Sequence, residues 1–181
     1  GADLSHTNLA GTILKGADLS HTNLTGVDLS GKDLTGMMLT GADLSDANLA
    51  GADLSGTDLT YANLSGQDLS NHDLTDVILT GADLSNSVLP DNGLSDRNFD
   101  GTIFNGVNLS GKNLSFSTFR DASFDNTNLE NANLTGANFL GVDLTKIKNK
   151  SLAGADLTYA VFAHGNLSGI NLDGATLHRG N

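Results

Sequence analysis

Leu or Phe stands at every fifth position from Leu4 to Leu144, 29 times without a gap. The register then slips by three residues and resumes at Leu152, running through Phe162 to Leu177. Asp or Asn usually precedes each centre and Ser or Thr usually follows it. Ala and Thr dominate two places before, and Gly recurs two places after. A five-residue period fits neither an α-helix of 3.6 residues per turn nor a flat strand of period 2. Gly, Asn, Asp, Ser and Thr between the centres also argue against helix. A short extended step followed by a corner does fit. Extended geometry puts residues two apart on one face, so each centre and the small residue two before it point inward. The pattern predicts a solenoid whose coils touch only their neighbours, with Leu centres piled into a narrow axis.

The recurring motif, as in Ala2-Asp3-Leu4, Ala47-Asn48-Leu49 and Ala132-Asn133-Leu134, resembles the pentapeptide repeat family over essentially the whole chain. The resemblance implies an all-β fold, a right-handed quadrilateral β-helix with four pentads per coil. Phe99, Phe119 and Phe139 recur every 20 residues, and Phe162 follows after that interval plus the slip, which supports a 20-residue coil. One Phe stack is expected through these four rings and a second through Phe104 and Phe124, with Leu4, Leu54 and Leu74 among the buried centres. Residues 1–181 read as a single domain of about nine coils, with a short insertion near 145–150.

On such a coil Lys32, His72, Asn92 and Lys112 fall on one side at nominally inward positions. An unpaired buried ammonium is prohibitively costly, so these residues are expected to bend outward or to widen the coil. Pro90-Asp91-Asn92-Gly93 reads as a turn cluster that replaces regular pairing.

Charge changes the picture. The chain of 181 residues (18.6 kDa) carries 21 acidic residues against nine Lys and Arg, a formal charge of −12. All of that net charge lies in residues 1–100, and residues 101–181 are balanced. Such a surface disfavours direct binding of nucleic acid, which needs clustered Lys and Arg. One column alternates Asp3, Asn23, Asp43, Asn63 and Asp83, whereas another keeps Asp33, Asp53 and Asp73 in direct succession. Repulsion is expected in the second, partly relieved by backbone N–H donors. The slip adds Lys146, Lys148 and Lys150 at one corner. These eight charged residues, Asp33, Asp53, Asp73, Asp43, Asp83 and the three lysines, form the candidate interaction surface.

Chemistry is harder to find. With no Cys there is no thiolate nucleophile and no disulfide. Gly106 to Lys112 and Gly26 to Lys32 read GxxxxGK, but Asn113 and Asp33 follow where a phosphate loop needs Ser or Thr. The five His show no metal-binding spacing. His72 and Asp73 are neighbours that an extended chain points to opposite faces. No cofactor, metal or catalytic residue is assigned, and no apolar run suits membrane insertion. The expected function is a non-enzymatic protein–protein interaction scaffold. The resemblance adds two alternatives: a DNA mimic acting on a type II topoisomerase, and the partner-binding repeat domain of a secreted bacterial effector. Without a signal-peptide pattern, the bacterial cytoplasm is the expected location, with export as part of a longer effector as the alternative. The chain starts in register without Met, so it is expected to be an excerpt with flanking domains or end-to-end self-association.

Overall fold

The computed structural model describes residues 1–180. Its smallest unit is the corner. Except at Leu89 and Leu94, the carbonyl of the centre accepts the N–H three residues on, as in Thr7 to Leu4 at 3.0 Å and Ala42 to Leu39 at 2.9 Å. The third residue of this turn takes positive φ, +64° at Gly41 and +68° at Gly81, which explains the Gly two places after each centre. Where Gly is absent, Asn, Asp or His mostly takes its place, although Tyr61 and Phe116 also adopt this conformation. Tyr61 lies over Gly81 one coil on, where an added Cβ would stand 2.3 Å from its ring. A bulky corner is thus accommodated by a bare one beneath it.

The residue before the centre has a second task. Its side-chain oxygen accepts the N–H two residues on, as at Asp3–Ser5 (3.0 Å), Asn63–Ser65 (3.0 Å) and Asp143–Thr145 (2.9 Å). Asp and Asn form this short loop best, which accounts for their alternation at one position.

Four such corners close one coil. Parallel bridges join residues 20 apart, from Asp3–Asn23 through Asn23–Asp43 and Asn63–Asp83 to Ile103–Ser123. Face 1 carries that column, and Asp28–Asn48 and Asp68–Val88 belong to face 2. Asp33–Asp53 and Asn113–Asn133 belong to face 3, and Asp18–Met38 and Asn98–Thr118 to face 4. Each face contributes one bridged residue per coil, so the ladder consists of short steps rather than long strands. At about 4.8 Å per coil, nearly nine coils span about 40 Å.

The axis is filled. Leu24 to Leu144 are buried centres, including Leu54 (2% exposed) and Leu74 (1%). Phe99, Phe119, Phe139 and Phe162 stack at 5.5, 4.9 and 5.3 Å between centroids, with interplanar angles of 15° or less. Phe104 and Phe124 form the second stack at 5.3 Å, set edge-on to the first. The expectation of burial fails at the ends: Leu4 and Phe162 are only partly buried, because fewer coils cover them. The three-residue slip is absorbed at the corner between faces 1 and 2, where Lys148–Lys150 form a tight turn with positive φ at Asn149 and Lys150. Pairing resumes 23 residues apart at Asn133–Asp156, Asn138–Val161 and Asp143–Asn166.

Candidate functional site

Face 3 departs from the regular wall where long polar residues stand two before the centre. In a regular coil the carbonyl of the residue at that position accepts the N–H of the next coil, as Ala42 does from Asn63 at 2.9 Å. A long polar side chain at this position bonds to carbonyls of the neighbouring coil, and the bridge beside it is absent. Lys32 Nζ donates to the Leu9 and Thr12 carbonyls at 2.9 and 3.1 Å, and Asp33 makes no bridge to Ile13. His72 Nε2 lies 2.9 Å from the Leu49 carbonyl, and the Asp53–Asp73 bridge is missing. Lys112 Nζ reaches the Pro90 carbonyl at 3.1 Å and Asp91 at 2.8 Å, and no bridge joins Gly93 to Asn113.

The expected outward bend is therefore corrected for three of the four residues. Only Asn92 lies exposed; Lys32, His72 and Lys112 stay in the wall, because carbonyl oxygens satisfy their donors without a trip to water. Nor are the exceptions confined to one side. On face 2, Gln67 Nε2 donates to the Leu44 and Ala47 carbonyls at 2.9 and 3.1 Å, and on face 4 Arg97 donates to the Val77 carbonyl. Bridges Asn48–Asp68 and Ile78–Asn98 are absent in step. Gln67 and Arg97 were legible by phase, each standing two places before a centre.

Where the ladder parts, the surface is grooved. A cleft of about 310 Å³ is lined by Ser70, Asn71, His72, Asp73, Thr75, Pro90 and Asn92. His72 also lines a neighbouring groove of about 240 Å³, and its Nδ1 is buried without a partner. A third, of about 350 Å³, lies between Arg97, Phe116 and Arg120. All three are open to solvent.

The acidic candidates sit on two faces. Asp33, Asp53 and Asp73 are exposed on face 3, and each accepts the N–H of its own turn at 3.0 Å, from Thr35, Ser55 and Thr75. The side-chain and backbone bonds from these residues hold all three carboxyls below the usual carboxylate range; Asp53 opposes this at Asp33 and Asp73, and Arg97 assists at Asp73. The expected repulsion is thus present and outweighed by local donors. Asp43 and Asp83 are half-buried on face 1, and Asn63 between them donates to Asp43 at 3.0 Å. Asn48 likewise donates to Asp28 at 3.0 Å, so these amides bond the carboxylate one coil back as well as spacing the charges.

The lysine corner lies coils away from these rows. Lys146, Lys148 and Lys150 are exposed, and Lys146 pairs with Asp125 at 3.4 Å, an exposed ion pair of small energetic weight. Among the described residues no group of three His, Cys, Asp or Glu could hold a metal ion, and no helix is long and apolar enough to cross a membrane. His72 points into the wall and Asp73 out of it, so the pair has no shared geometry.

The coil architecture defines the class, and comparison with known proteins gives the family. The family model of pentapeptide repeats matches in eight copies over residues 1–36, 38–76, 57–91, 113–148 and 151–181. The chain belongs to the pentapeptide repeat family, with its right-handed quadrilateral β-helix. Similar solved structures include HetL, a pentapeptide repeat protein involved in heterocyst differentiation regulation from the cyanobacterium Nostoc. It is 28% identical, with 93% of this chain and 81% of that chain covered and a TM-score of 0.43. Trypsin-treated QnrB1, a plasmid-mediated fluoroquinolone resistance protein, is 17% identical, with 86% and 80% covered and a TM-score of 0.48. A thylakoid-lumen pentapeptide repeat protein of Arabidopsis thaliana is 27% identical, with 68% and 65% covered and a TM-score of 0.30. No curated protein matches the chain.

Proposed function

We propose that the chain is a non-enzymatic scaffold that docks a basic protein surface along its acidic faces. The supporting observation is that Asp33 and Asp53, and Asp28 with Asn48, are held in rows by bonds within their own turns and to the next coil. Carboxylates fixed in this way present a charged surface with little ordering left to do on binding. The grooves among the described residues are open to solvent, which suits contact with a surface better than chemistry in a secluded pocket. The test is a triple variant, Asp33→Asn, Asp53→Asn and Asp73→Asn, which keeps every turn acceptor. A partner isolated by cross-linking should lose binding to this variant and on added salt; undiminished binding to a natively folded variant would refute the reading.

A second reading is favoured by the charge spacing. The first five coils hold 15 Asp over about 24 Å, a net density of about one negative charge per 2 Å against one per about 1.7 Å in B-DNA. A DNA mimic of this kind would act on a type II topoisomerase. DNA-supercoiling assays test it: an unaltered gyrase reaction at micromolar protein removes this reading and leaves the first standing.

A further inference from the structure

The chain has two Asn-Gly steps, Asn92-Gly93 and Asn105-Gly106, and the fold treats them oppositely. Asn105 is half-buried. Its Oδ1 accepts from Ser123 Oγ at 2.7 Å and from the Asp125 N–H at 2.9 Å, and the Gly106 N–H donates to the Asp125 carbonyl at 2.9 Å. Both reacting groups of that step are occupied. Asn92 is exposed, and neither its side chain nor the Gly93 N–H makes a hydrogen bond within the described residues. The flanks hold the segment in place: Pro90 and Asp91 are gripped by Lys112, and Gly93 takes φ +76° where an added Cβ would crowd Thr75. The step is therefore off the ladder, wet and freed from competing bonds.

We propose that Asn92 is a modification site that deamidates by attack of the Gly93 backbone nitrogen, while Asn105 is protected. The Gly93 nitrogen forms a bond to Asn92 Cγ and gives up its proton. The Cγ–Nδ2 bond breaks, and ammonia leaves carrying that proton. Water then opens the five-membered imide at either carbonyl, giving aspartate or isoaspartate. Gly93 has no side chain to hinder the approach. Isoaspartate adds a methylene to the main chain, which an unbridged segment absorbs more readily than a ladder residue. Either product adds a carboxylate beside Asp91, at the mouth of the cleft that contains His72 and Asp73.

The experiment incubates the 181-residue chain at mildly alkaline pH below its melting temperature and follows both sites by peptide mass spectrometry. Asn92 should convert about tenfold faster or more than Asn105, because Asn105 reacts only from locally opened molecules. In urea the two rates should converge. Asn92→Gln, which needs a larger ring, should remove the signal from its peptide. Equal rates at the two sites in the folded protein would overturn the proposal, as would an intact Asn92 under conditions where the urea-unfolded chain is modified.

Discussion

Faces 1 and 3 are built from the same pentads and differ mainly at one position. Face 1 places Ala2, Thr22, Ala42, Ala62, Ala82 and Thr102 two residues before its centres, and its bridges run unbroken from Asp3 to Ser123. Face 3 places Lys32, His72, Asn92 and Lys112 there, and no bridge joins Asp53 to Asp73 or Asp73 to Gly93. The centres are alike, since Leu44 and Leu54 are both buried. The fifth-position Leu therefore sets the register, and on face 3 the ladder parts where a long polar residue stands two places earlier. Lys32, Gln67 and Arg97 each occupy the carbonyl that the next coil would use, whereas His72 and Lys112 bond to other backbone oxygens beside the gap.

The largest effect should come from breaking what the faces share. Leu54→Asp puts a carboxylate into a column 2% exposed and should cost about 4 kcal/mol or more, seen as loss of the cooperative melt. An unchanged melting temperature would contradict inward centres. Next, Ala42→Lys gives face 1 the defect of face 3. It should open the Asn23–Asp43 bridge and cost about 1–3 kcal/mol, read as faster amide exchange at Asp43 toward the rate at Asp73. Exchange at Asp43 no faster than in the parent would show that side-chain length does not control the ladder.

Acid should act through the turn carboxylates. Asp33, Asp53 and Asp73 are held below their ordinary values by Thr35, Ser55 and Thr75. A folded pKa below the unfolded one contributes stability that is complete above about pH 4 and lost as pH falls through the folded values. The melting temperature should fall on acidification below about pH 4, and a flat profile there would sink the assignment. The smallest change is Asp53→Asn, expected to be near neutral or slightly stabilising, because the turn acceptor remains and repulsion with Asp33 and Asp73 goes. Chemical denaturation measures it, and strong destabilisation would show that the charge itself is required.

The coil, its inward centres and both Phe stacks were legible because a fixed period forces equivalent residues into equivalent places. The direction of Lys32, His72 and Lys112 was not. Reasoning from the desolvation of a lone cation sends them to water, whereas the backbone one coil away offers acceptors whose usual donors can be displaced. That offer depends on contacts 20 and 23 residues distant. The acidic columns were likewise placed correctly, but the Asn63–Asp43 and Asn48–Asp28 bonds between coils depend on rotamers.

The three-residue slip has a wider consequence. Leu152 follows Leu144 by eight positions instead of five, yet both coils remain in step because one corner swallowed the surplus. Nearly every pentad satisfies its own bend, so errors in length stay local and do not propagate along the tower. A lineage built on this plan can gain or shed storeys, tolerate a misplaced brick at a landing, and still keep its outer pillars plumb.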